Sequence, residues 1–189
     1  MNCVILSGSP RKKGNTAILL EHIISGIHAA HGKATLFRLA EMDIHPCIGC
    51  GSCEKTGECI FKDSMGEIYK SLATADRVVI CSPIYFYNLT AQTKLCIDRC
   101  QALWSRKYLL NNPVGQGMER KGYLVSVSAT TGERIFEGAK LTAQYALDAM
   151  NCTLSDYLLI RGVDKKGAIT SQTATLEEAF VFGRKLCQP

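Results

Sequence analysis

The chain has 189 residues, 47% of them hydrophobic and 21% charged, which suits a single domain with a sizeable core. No apolar run reaches the roughly 18 residues that cross a bilayer, and the positive charges near the N-terminus follow a short apolar run, the reverse of a signal peptide. The net charge of +5 has one dense run, Arg11-Lys12-Lys13, in a glycine-flanked turn, which favours a small anionic ligand over nucleic acid.

The first strand is expected at Cys3–Leu6, followed by a turn and a helix over Thr16–Ala30, where Ile18, Leu19, Ile23 and Ile27 line one face. A strand at Ala34–Leu39 leads into an irregular insert, Met42–Asp63, and then a helix over Ser64–Thr74. Val78–Cys81 reads as the third strand and Thr90–Trp104 as the next helix. A second irregular loop near Asn111–Lys121 precedes a strand at Leu124–Val127 and a helix over Ile135–Met150. Leu154–Ile160 is the fifth strand and Thr175–Leu186 the last helix. Strands alternating with helices imply right-handed β-α-β crossovers. The expected fold is α/β: a flavodoxin-like three-layer sandwich with a five-stranded parallel sheet, binding its ligand at the carboxyl ends of the strands. Residues 1–189 read as one domain carrying a cysteine-rich insert at about 42–63.

The stretch VILSGSPRKKGNTAILL runs strand, turn, helix. Such a turn offers free backbone N–H groups and a helix dipole to a phosphate, and Ser9, Arg11, Asn15 and Thr16 add donors. The alternative is that Asn15 or Thr16 simply caps the helix. Neither GxxxxGK[ST] nor GxGxxG is present, so NTP hydrolysis and the usual NAD fingerprint lose support. After the third strand, SPIYFYN places three aromatics on a loop at a central strand end. There Tyr85 or Phe86 can pack on the face of a planar ligand while backbone N–H groups meet its edge. The alternative is a cover for the sheet end or a subunit contact. Arg99 with Asp98 reads as a structural ion pair.

Cys47, Cys50, Cys53 and Cys59 fall within HPCIGCGSCEKTGECIFKDSM. Zinc sites usually use two separated pairs, whereas three thiols at two-residue gaps are how cubane clusters are held, with Cys59 closing the site. A [4Fe-4S] cluster is therefore the leading reading; zinc, disulfides and a metal-free lid remain as alternatives. Gly49, Gly51 and Gly57 let the backbone wrap around such a group. The other six of ten cysteines fall mostly in apolar patterns and read as buried. No histidine spacing, GxSxG elbow or acid/base constellation marks a catalytic side chain.

Together, SGSPRKKGNT, CIGCGSCEKTGECIFKDSM and SPIYFYNLTAQTK resemble the iron-sulfur flavoproteins, within the flavodoxin-like NAD(P)H-dependent FMN reductase superfamily. The resemblance is strong over roughly the first hundred residues and holds in element order beyond. It implies non-covalent FMN, with Ser9, Arg11, Asn15 and Thr16 at the phosphate and Pro83, Ile84, Tyr85, Phe86 and Asn88 at the isoalloxazine. It also implies a third flavin loop at Ala129, Thr130, Thr131 and Gly132, in a segment less glycine-rich than is common. The [4Fe-4S] cluster fits the same family. The resulting expectation is a cytoplasmic homodimer or homotetramer, free of membrane and nucleic acid. It takes electrons from NAD(P)H and passes them to a small-molecule acceptor such as a quinone, or exchanges them with a ferredoxin-like protein. The rival expectation is a non-enzymatic electron carrier or redox sensor.

Overall fold

The computed structural model describes residues 1–188. Five strands form one parallel sheet: β1 (Asn2–Ser7), β2 (Lys33–Arg38), β3 (Arg77–Pro83), β4 (Lys121–Val127) and β5 (Thr153–Ile160), in the spatial order β2-β1-β3-β4-β5. This is the flavodoxin-like order, and the chain direction across the sheet reverses between β1 and β3. Both central strands are buried on two faces, which explains their continuous apolar runs.

Alternate side chains enter opposite cores. Val4, Leu6, Val78, Ile80 and Leu124 share one, with residues of α3 (Met65–Ala73), α4 (Ala91–Arg99), α5 (Gln101–Tyr108) and α6 (Glu137–Ala149). Cys3, Ile5, Val79, Cys81 and Val125 share the other, beneath α1 (Asn15–Ala29) and α7 (Thr173–Lys185). The three expected layers are therefore present. α1 and α7 cross closely because Gly26 and Gly183 lie at the contact; a Cβ at either would come within 2.1 Å and 2.0 Å of the facing carbonyls of Phe180 and Ile23.

Two differences from expectation have physical causes. The helix expected over Thr90–Trp104 divides at Cys100, whose N–H is shared between the carbonyls of Cys96 (3.2 Å) and Ile97 (2.9 Å). The cysteine insert contains a one-turn helix, α2 (Ser52–Thr56), bounded by Gly51 and Gly57 in the left-handed region at φ 71° and 70°. Only glycine enters that region without strain, so the pair fixes both ends of the turn. α2 then packs against α5, and a Cβ on Gly57 would meet Arg106 Cγ at 2.6 Å. Among the described residues no helix is long and apolar enough to cross a membrane.

Candidate functional site

The loop after β1 ends at Gly14, which is the N-cap of α1; no side chain caps the helix, and no acidic residue lies in its first turn. The capping role considered for Asn15 and Thr16 is therefore not realised. The first-turn N–H groups of Asn15, Thr16 and Ala17 have no intrahelical acceptors, and the positive end of the helix dipole faces the loop. Thr16 is buried beside them. Ser9 Oγ forms a tight local turn, donating to the Arg11 carbonyl (3.3 Å) and accepting from the Arg11 N–H (3.4 Å). The Arg11 side chain is exposed and, among the described residues, unpaired.

Asn15 does something the sequence did not announce. Its amide donates to the carbonyls of Val163 (3.1 Å) and Lys165 (3.0 Å), and its Oδ1 accepts from the Ile169 N–H (3.3 Å). The side chain thus ties the loop after β5 to the start of α1, while its backbone N–H has no intrahelical acceptor.

One cleft at the carboxyl ends of the central strands brings several of these groups together. Ser9, Arg11, Gly14, Asn15 and Thr16 form one wall, Pro83, Ile84 and Tyr85 another. Val127 and Ala129 from the end of β4, and Val163 and Asp164 from the loop after β5, complete it. Beyond Tyr85 the chain makes a two-residue hairpin. The Tyr85 N–H donates to the Asn88 carbonyl (2.9 Å), and the Asn88 N–H donates back (3.1 Å). Phe86 and Tyr87 at its tip have φ of 47° and 62°. Positive φ at both positions marks a type I′ turn, normally made by Asn-Gly, so two aromatics here store strain. They also stand out in solvent, Phe86 completely. The backbone N–H groups of Tyr85 and Asn88 are spent within the turn, so only those of Phe86 and Tyr87 are left to meet a ligand edge. The Asn88 Oδ1 accepts from the Leu89 N–H (2.8 Å) and the Thr142 hydroxyl (3.2 Å), which anchors the turn to α6.

Of the third loop, Ala129 lines the cleft, whereas Thr130, Thr131 and Gly132 lie outside its wall, as do Phe86 and Asn88. Ser128 holds the loop by donating to the Thr130 carbonyl (3.0 Å) and accepting from the Thr130 N–H (3.2 Å).

All four cysteines of the insert line a second cavity, with Ile48, Ile60 and Phe61. Cys47 and Cys50 are exposed, Cys53 and Cys59 half-buried, and none is in a disulfide. Among the described residues no three His, Cys, Asp or Glu side chains converge closely enough to hold a metal ion as they stand. The Ser105 hydroxyl of α5 lies 3.7 Å from Cys53 Sγ. Arg99, buried at the end of α4, lines the same cavity with Gln101 and Ala102. Its expected partner, Asp98, pairs instead with Lys94 one helical turn earlier, because adjacent helical side chains point apart. Arg99 pairs with Asp63 through Nη1–Oδ2 (2.6 Å) and Nη2–Oδ1 (3.1 Å), and Nη1 also donates to the His45 carbonyl (2.8 Å). Burial alone would lower the Arg99 pKa; the bonds to Asp63 reverse that and raise it.

Residues 1–151 match the model of the NADPH-dependent FMN reductase family. The chain belongs to that family. It is an FMN-reductase-like flavoprotein, and FMN is the cofactor the family supports. It is 36% identical over 115 residues to an iron-sulfur flavoprotein of Methanocaldococcus jannaschii, covering 61% of this chain and 59% of that protein. It is 35% identical over 99 residues to an iron-sulfur flavoprotein of Archaeoglobus fulgidus, covering 52% and 45%. The matches thus span about half the length of these curated relatives. The fold is also that of the NAD(P)H:quinone oxidoreductase from Methanothermobacter marburgensis, with TM-score 0.79, 17% identity and coverage of 100% and 97%.

Within this FMN reductase fold, sequence reasoning missed the loop after β5, which reaches the cleft through Val163 and Asp164. The only trace of it is the tie from Asn15, 148 residues away, and no local pattern signals such a contact.

Proposed function

We propose that the protein is an FMN-dependent oxidoreductase that accepts electrons from NAD(P)H, and that Cys47, Cys50, Cys53 and Cys59 hold a [4Fe-4S] cluster. The observation that carries the flavin reading is the uncapped start of α1 facing the same cleft as Pro83, Ile84 and Tyr85. A dianionic phosphate fits the first-turn N–H groups, the Thr16 hydroxyl and the Arg11 guanidinium, with Ser9 shaping the loop and Asn15 contributing its backbone N–H. Tyr85 and Ile84 offer an apolar surface to a planar ring, and Pro83 turns the chain beneath it. Phe86 and Asn88 form and anchor the adjacent turn; Ala129 flanks the ring, with Thr130, Thr131 and Gly132 behind it. When bound, FMN supplies hydride and single-electron chemistry, which is why no catalytic side chain is required.

The cysteine cavity fits a cluster by its donor set: four thiols lining one cavity, with three nearby glycines at positive φ. Such a group would carry single electrons to or from a ferredoxin-like partner. The exposed Leu141, Tyr145 and Tyr157 on α6 and β5 support a homodimer or homotetramer, and the ten unpaired cysteines support a reducing, cytoplasmic setting.

Anaerobic mixing with NADH or NADPH and a quinone tests the enzyme reading. Steady nicotinamide oxidation is expected. Reduction by a protein donor alone would make the chain an electron carrier.

A further inference from the structure

Among the described residues one buried side-chain nitrogen or oxygen has no hydrogen-bond partner: Nε of Arg99. Such a group calls for an explanation, because buried donors are almost always satisfied. The two terminal nitrogens each have partners. Nη1 and Nη2 are taken by Asp63 and the His45 carbonyl. Phe61 stacks on the face of the group, with Cζ 5.0 Å from the ring centroid. A stacked ring uses the π face and leaves the in-plane Nε–H unmet. Arg99 is also part of the wall of the cavity that all four cysteines line.

We infer that the Nε–H of Arg99 donates a hydrogen bond to a sulfur of the group those cysteines hold, so that Arg99 tunes its reduction potential while its two other nitrogens lock the loop. The inference rests on the cluster reading proposed above. Thiolate and sulfide sulfurs bear negative charge and accept N–H donors, and each such bond favours the more negative, reduced state. The Asp63 carboxylate offsets the guanidinium charge. Arg99 therefore acts here as a directed donor, and as a bare charge only when Asp63 is neutralised. It is a positioning residue and takes no part in bond making.

The test uses the full-length protein, reconstituted with iron and sulfide, reduced with dithionite and grown on arginine labelled with ¹⁵N at Nε. Pulsed electron paramagnetic resonance is expected to show ¹⁵N coupling to the reduced cluster, and Arg99→Lys should abolish it. Arg99→Lys should also lower the midpoint potential, by up to tenfold in the reduction equilibrium, about 59 mV for one electron. Asp63→Asn, which leaves the guanidinium uncompensated, should raise it. A merely structural role would move both variants the same way. The labelled wild-type spectrum needs no variant, so it decides the matter even where Arg99→Lys does not fold. About four irons per chain without ¹⁵N coupling would overturn this inference alone. Failure to take up iron would overturn the cluster reading and this inference with it.

Discussion

Arg99 and Asp63, 36 residues apart, meet in a bidentate ion pair from which water is excluded. The same carboxylate accepts N–H bonds from His45 (3.0 Å) and Met65 (3.1 Å). The pair therefore closes the cysteine insert at both ends and fastens it to α4.

This pair makes stability depend on acid. Burial alone would raise the Asp63 pKa, but the bonds from Arg99, His45 and Met65 outweigh it and hold the carboxyl below its ordinary value. With the folded pKa depressed, the contribution is complete above the unfolded value, about 3.9, and is lost as pH falls through the folded one. Asp63→Asn is expected to cost about 3 kcal/mol at pH 7, with the gap to wild type closing below about pH 4. Urea denaturation across that range measures it; a gap independent of pH would contradict the assignment.

At the cleft, Arg11→Ala removes a charge-assisted contact to phosphate worth about 1.5–3 kcal/mol, or roughly ten- to hundredfold in FMN affinity. Thr16→Val should weaken FMN as well, since it removes a hydroxyl from the same turn. Quenching of flavin fluorescence on titration reads both. Unchanged affinity in both variants would remove the phosphate from the start of α1.

The turn at Phe86-Tyr87 combines strain with full exposure. Replacing the pair by Asn-Gly is expected to stabilise the fold by about 1–2 kcal/mol while weakening FMN retention. A rise in Tm with unaltered flavin binding would show that these aromatics serve some other contact.

Thiol reactivity should divide the ten cysteines. Burial pushes the thiols of Cys3 and Cys81 up to about 12 and that of Cys152 to about 11. In iron-free protein at pH 8, iodoacetamide should label Cys47 and Cys50 first, and Cys3, Cys81 and Cys152 only after unfolding. Mass spectrometry of timed samples checks the order. Loading with iron should protect all four cysteines of the insert together.

Much of the fold was legible because its signals are local. Each expected strand lies within an observed one except at Leu39, where the expected second strand runs one residue past Arg38. The parallel sheet followed from the alternation of strand and helix. What escaped depends on direction or distance. The polar character of Asn15 was visible, but not that its amide turns away to the loop after β5. Arg99 was visible as half of an ion pair, but its partner came from across the insert, because helix geometry turns Asp98 elsewhere. The one-turn helix at Ser52–Thr56 is too short for periodicity to reveal; its bounding glycines were read as freedom to wrap, and they set its ends.

The most direct measurement is the visible absorption spectrum of protein purified without oxygen, with flavin, iron and sulfide quantified on the same sample. A structured FMN band over a broad shoulder that dithionite bleaches is expected, with about four irons and one FMN per chain. A yellow FMN spectrum without iron would contradict the cluster and leave the four cysteines as a thiol loop on a simple flavin reductase. A colourless protein would contradict the account at its root.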